Sequence, residues 1–135
     1  VSGEVIGAIG AGVLVYLGVA TDDELQDVQY LVNKVRHLRI FTDDQGKMNL
    51  DVDQAGGSCL VISAFSTQGD ARRGHRPAYT AAAPPAQAEG LYEQFCRLLA
   101  ETGLTVATGR FQAKMEVSSI NDGPICVLID SKKQF

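Results

Sequence analysis

The side chains able to act on a substrate gather in one stretch of this chain. Ser63, Ser66 and Thr67 supply hydroxyls, Asp70 a carboxylate, His75 an imidazole, and Arg72, Arg73 and Arg76 fixed positive charge. A serine nucleophile needs a base beside it, and His75 and Asp70 are the nearest in sequence, with His37 on or near the first predicted helix. The pattern argues against that chemistry: no Gly-x-Ser-x-Gly elbow surrounds either serine, and the chain has 2 histidines. Serines at a strand end also bond backbone groups. The arginine cluster suits an anion or is simply a solvated loop. A second motif, Asn121-Asp122-Gly123-Pro124, precedes the last apolar run and puts Gly-Pro where a strand begins, a place at which proline sacrifices no ladder hydrogen bond.

The elements that must hold these residues are legible from periodicity. Residues 1–8 alternate weakly, Gly10-Ala11-Gly12 signals a turn, and residues 13–19 are nearly all apolar, which predicts two strands joined by a hairpin. Thr21 with Glu24 three residues on makes a capping-box pattern. Leu25, Val28, Leu31, Val32, Val35 and Leu38 follow at helical spacing. Residues 59–65 read as a strand that places Phe65 on the face of Val61 and Ser63. Pro84-Pro85 suits a helix start, and Ala88, Leu91, Tyr92, Phe95, Leu98 and Leu99 form its stripe until Gly103. Residues 104–107, 114–120 and 125–130 read as strands. The short connections predict a mixed α/β fold of layered, largely antiparallel sheets with two helices packed on one face.

With 135 residues the chain suits a single domain spanning residues 1–135, large enough to bury a core. No apolar run approaches the ~20 residues of a membrane span, and no signal peptide, repeat or low-complexity tract is visible, so a cytoplasmic location is expected. Cys59, Cys96 and Cys126 each lie in an apolar pattern. Their odd number and lack of CxxC spacing argue against a disulfide framework or zinc site and predict buried thiols.

Several motifs together resemble the D-aminoacyl-tRNA deacylase family, whose hallmarks are a Ser-Gln-Phe-Thr strand end, an Arg-Gly-x-Arg-Pro loop and an Asn-x-Gly-Pro motif with a cis Gly-Pro peptide. Here the strand end is Ser63-Ala64-Phe65-Ser66, with Ala64 in place of the glutamine and Ser66 in place of the threonine. The loop is Arg73-Gly74-His75-Arg76-Pro77, and Asn121-Asp122-Gly123-Pro124 completes the set. Phe41 through Leu50, including Asp44-Gln45-Gly46-Lys47-Met48-Asn49, and Thr108-Gly109-Arg110-Phe111 also match, so the resemblance spans nearly all of the chain. The family's opening strand, with its Gln-Arg-Val sequence, has no counterpart here, so either the sequence is trimmed or a sheet edge is left exposed.

The resemblance implies a homodimer, without metal or cofactor, that hydrolyses the ester bond of D-aminoacyl-tRNA and also accepts glycyl-tRNA. It places catalysis at Ser63, Phe65 and Ser66, largely through backbone groups, with the 2′-hydroxyl of the terminal adenosine sharing the chemistry. Gly123 and Pro124 would enter the other subunit's site and bar L-amino acids by collision. Ala64, Arg73, Arg76, Met115 and Asn121 are the implied substrate and tRNA contacts, Phe65 is a candidate to stack on adenine, and core packing is the rival role for Phe65, Met115 and Phe111 alike. A net charge of −4 is unusual for a tRNA-handling protein, since nonspecific binding rests on phosphate contacts, and it predicts a small footprint at the single-stranded 3′ end. The alternatives are a non-catalytic aminoacyl-tRNA-binding relative, because of Ala64, and a serine esterase using Ser63 or Ser66 with His75.

Overall fold

A computed structural model describes all of residues 1–135. Its main sheet has three strands, β1 (Gly12–Leu17), β4 (Ser58–Ser63) and β5 (Val106–Thr108), in the order β1-β4-β5. A two-stranded antiparallel hairpin, β2 (Phe41–Thr42) with β3 (Met48–Leu50), stands apart. Its turn is tied by Asp43, whose Oδ1 accepts the N–H groups of Gln45 and Lys47, both at 2.9 Å.

The main sheet is parallel, with β1 in register from Gly12↔Ser58 to Leu17↔Ser63 and β4 from Cys59↔Val106 to Val61↔Thr108. This corrects the largely antiparallel arrangement expected from the sequence. Parallel neighbours need a crossover, and each interval between these strands holds one: α1 (Leu25–His37) before β4 and α2 (Pro85–Glu101) before β5. Both crossovers step in the same direction across the sheet, so connections of one hand put both helices on the same face. The core confirms it. Val28, Val32 and Val35 of α1 and Tyr92, Phe95 and Leu99 of α2 cluster with Leu17, Cys59 and Val61 of the sheet. The helix prediction on one face therefore holds, although Leu25 is exposed rather than in the stripe.

Helix α1 starts one turn later than its sequence pattern suggests. The capping box is Glu24 with Asp27, not Thr21 with Glu24: each carboxylate accepts the other's backbone N–H. Thr21 instead gives its N–H to Ala81 O. In α2 the prolines act as expected, Pro84 as N-cap and Pro85 at the first position. Buried Tyr92 donates its hydroxyl to Val61 O at 2.9 Å, tying α2 to the central strand.

Residues 1–8, 114–120 and 125–130, expected as strands, carry no ladder. Residues 111–118 nevertheless alternate between half-buried and exposed, with Phe111, Ala113, Met115 and Val117 inward. The period-two pattern is real, but it reports which face is covered and not whether backbone groups pair. The polar tail is anchored too: Lys132 Nζ donates to Asp27 Oδ1 at 2.8 Å and lies 3.3 Å from Asp23 Oδ1. Burial alone would raise the Asp27 pKa, but the bonds from Lys132 and the Glu24 N–H outweigh it and hold the carboxyl below its usual range.

Candidate functional site

The hydroxyl-rich segment lies at the carboxyl end of the central parallel strand, the edge at which open α/β sheets place their ligands. β4 ends at Ser63, and a short 3-10 turn, Phe65–Gln68, begins directly after it. The strand is thus shorter than its apolar run implies. Phe65 has left the alternation that would put it with Val61, and it projects outward, 63% exposed. Core packing is excluded as its role.

The backbone of this turn divides into used and unused groups. Ala64 gives its N–H to Leu17 O at 2.8 Å, and its carbonyl accepts both the N–H and the hydroxyl of Thr67, at 3.1 and 3.0 Å. The N–H groups of Phe65 and Ser66 have no acceptor in the chain. Two adjacent donors therefore stand free at the strand end, the arrangement that can stabilise a developing oxyanion. Close approach by the neighbouring strand exit requires Gly18, because a side chain there would overlap the Thr67 hydroxyl.

Other expected residues gather around this end to different degrees. Met115 is half-buried, its sulfur accepts the Arg110 N–H at 3.4 Å, and it lies over Gly109, which also faces Ile62 of β4. Phe111 belongs to the core margin, packed on Tyr92 with ring centroids 6.0 Å apart. The basic loop is closed at its base by a mutual backbone pair between Asp70 and Ala78. Within it Arg72 is spent internally: its Nε and a terminal nitrogen bind the two Asp70 oxygens at 3.0 and 2.8 Å, which depresses the Asp70 pKa to about 2. Arg73, His75 and Arg76 lie exposed at the loop tip, in no ion pair. His75 makes no bond to Ser63 or Ser66, so the serine–histidine arrangement is not assembled.

The Gly123–Pro124 peptide is cis, and residues 118–124 are all exposed. Asn121 is engaged in its own loop. Its Oδ1 accepts the Ile125 N–H at 3.1 Å, and its Nδ2 reaches Ile125 O at 3.3 Å and Cys126 Sγ at 3.2 Å. Cys126 is exposed, unlike the buried thiol expected, whereas Cys59 is fully buried and burial pushes its pKa up to about 11. Tyr79, not singled out from sequence, meets Phe65 edge to face with centroids 5.0 Å apart. An aromatic just past a Gly/Arg/Pro loop was the available signal. Elsewhere, an open groove of about 500 Å³ at the start of α2 carries Glu89 and Glu93, charges that repel a polyanion. No helix is long and apolar enough to cross a membrane.

Comparison with known proteins bears on this geometry. Residues 1–130 match the family described as D-Tyr-tRNA(Tyr) deacylase. The chain belongs to this family. Among relatives of the deacylase family, the D-aminoacyl-tRNA deacylase of Anaeromyxobacter dehalogenans is 53% identical over 135 residues, covering 100% of this chain and 91% of that protein. The D-aminoacyl-tRNA deacylase of Thermotoga petrophila is 52% identical over 130 residues, covering 96% of this chain and 87% of that protein. Among solved structures, the c-Myc DNA Unwinding Element Binding Protein superposes with a TM-score of 0.87 at 36% identity, covering 93% of this chain and 85% of its own.

Proposed function

We propose that this protein hydrolyses the ester bond of D-aminoacyl-tRNA, releasing tRNA and the D-amino acid. The observation that carries the reading is the full-length match to deacylases at about half identity. The free N–H groups of Phe65 and Ser66 fit it. Water adds to the ester carbonyl carbon, and the two N–H groups receive the negative charge on the carbonyl oxygen. The carbon–oxygen bond to the ribose then breaks, and the ribose oxygen leaves with the proton that water gave up. The neighbouring 2′-hydroxyl of the terminal adenosine is the group placed to relay that proton. Ser63 and Ser66 shape the pocket and do not attack. Ala64 removes only a side-chain amide relative to the family's glutamine, since its backbone groups are held by Leu17 and Thr67.

Selectivity falls to Gly123 and Pro124, presented by one subunit of a homodimer to the site of the other. Their exposure supports this, as does the hold of Asn121 on Ile125 and Cys126. Asn121 then positions the wall and does not touch substrate. A backbone wall that bars the L side chain is indifferent to D side-chain identity and blind to glycine. Dimerisation is further supported by the sheet face that carries no helix: Tyr16 is exposed on it, and Val5, Ile120 and Leu128 stand exposed elsewhere, Ile120 at 96%. Parallel sheets are ordinarily covered on both faces. Phe65 offers the adenine its ring, Arg73 and Arg76 offer charge to phosphate, and Met115 lines the pocket. The activity belongs where tRNA is charged, in the cytoplasm.

Deacylation of tRNA bearing D-Tyr, D-Asp, L-Tyr or glycine under one set of conditions tests the reading. Cleavage of both D-esters and slower cleavage of glycyl-tRNA, with L-tyrosyl-tRNA spared, is expected. Hydrolysis of the L-ester at a rate near that of D-Tyr ends it. Light scattering should give the mass of a dimer at micromolar concentration.

A further inference from the structure

Tyr79 directly follows Ala78, whose pairing with Asp70 closes the basic loop, so it joins the base of the loop that carries the unpaired arginines to Phe65, whose ring it meets. The planes of the two rings are inclined at 69°. The Tyr79 ring also has a seat made of backbone: a methyl group on Gly69 would stand 3.0 Å from Tyr79 Cε1. A tyrosine used only for packing buries its ring and pairs its hydroxyl, as Tyr92 does with Val61 O. Tyr79 is instead 40% exposed, and its hydroxyl is left free.

Two exposed rings in contact beside a basic loop suit single-stranded nucleic acid, whose bases stack on aromatic faces whatever their identity. A planar base lying on Phe65 cannot also lie flat on a ring inclined at 69°, so the face of Tyr79 remains for a second base. We propose that Tyr79 stacks the base of the nucleotide that precedes the terminal adenosine, with Arg73 and Arg76 on the adjoining phosphates. This rests on the deacylase reading of the strand end. It also accounts for RNA binding by a chain of net charge −4: stacking supplies affinity that needs no excess of cations, and it selects a frayed 3′ end over a duplex, whose bases are not available.

Two esters separate the bases. D-tyrosyl-adenosine carries the terminal nucleoside alone, and the D-tyrosyl ester of the trinucleotide CCA adds the preceding ones. Tyr79→Leu, which keeps apolar bulk without an aromatic face, should raise KM for the trinucleotide ester about 10-fold and leave kcat, and both constants for the adenosine ester, unchanged. Tyr79→Phe should match the wild type. An equal effect of Tyr79→Leu on both esters, or none on the trinucleotide ester, overturns the proposal. Binding of uncharged CCA trinucleotide and of AMP, measured without turnover, tests it independently of the variants: wild-type protein that binds CCA no more tightly than AMP overturns it as well. Absence of hydrolysis with preferential, Tyr79-dependent CCA binding would instead defeat only the deacylase reading.

Discussion

If the free N–H groups at the end of β4 form the oxyanion site, deleting one should cost catalysis without costing the fold. Phe65 allows the test. It is the first residue of the 3-10 turn, a position that accepts proline, and Ala64 before it has φ −143° and ψ 88°, near the extended backbone that a pre-proline residue prefers. Its N–H bonds nothing in the chain, so Phe65→Pro breaks no internal hydrogen bond. The substitution also removes the ring, and Phe65→Ala removes the ring alone; the ratio of the two isolates the N–H. Loss of one oxyanion donor typically costs about 10²–10³ in kcat, or roughly 2.7–4 kcal/mol. Single-turnover deacylation of D-tyrosyl-tRNA should therefore be about 10²–10³ slower in the proline variant than in the alanine variant, with thermal melting points within a few degrees of each other. Equal rates in the two variants would refute the backbone assignment. So would a rate loss in the proline variant that merely tracks its loss of circular dichroism.

Three further outcomes are expected. Ser63→Ala and Ser66→Ala should each retain most of their turnover, since removing a true serine nucleophile costs on the order of 10⁶-fold in kcat; abolished turnover with intact tRNA binding would establish covalent catalysis. Arg73→Gln and Arg76→Gln should raise KM and flatten the salt dependence by about 0.7 in log–log slope for each phosphate that is no longer neutralised, whereas Arg72→Gln should act chiefly on the loop, because Arg72 is bound to Asp70. The folded-state pKa of Asp27 is depressed, so its contribution to stability is present above the unfolded value of 3.8 and is lost as pH falls through the folded value. Melting curves of wild type and Asp27→Asn should accordingly lie apart at about pH 6 to 7 and converge as the pH falls through the depressed folded-state value.

The helices and the site segment were legible in the sequence because each is specified locally. Pro84-Pro85 and a stripe ending before Gly103 define α2, and the strand end and loop motifs carry their own residue types. Strand direction was less legible, because it is set by the crossovers. The signal for it was present in Cys59-Leu60-Val61-Ile62, an unbroken apolar run of the kind buried on both faces, and in helices standing between the strands. The end of β4 was placed too late because Phe65 is apolar, although Ser66-Thr67-Gln68-Gly69 after it already spells a turn. The capping box was misplaced by three residues because Thr21 and Glu24 satisfy the pattern as well as Glu24 and Asp27, and the contacts that single out the second come from far along the chain: the Thr21 N–H goes to Ala81 O, and Lys132, 105 residues away, holds Asp27. An ion pair at that range leaves no local trace.

The parallel sheet also sets the order in which the chain can assemble. Every pairing in it joins residues 46 or 47 positions apart, whereas the hairpin joins Thr42 to Met48. Long separations delay the reward for closing the chain and slow folding. Strand β1 therefore emerges from the ribosome and waits, with Val13, Leu14 and Val15 uncovered, until β4 is made and α1 has folded back. The other edge of β4 waits in turn for β5, which is made only near the end of the chain. In that interval the nascent protein presents a bare apolar strand of the kind that aggregates or engages chaperones, and an intact α1 is what shortens the wait. Substitutions that weaken α1 should thus lower the yield of folded protein in cells more than their effect on the finished structure would suggest.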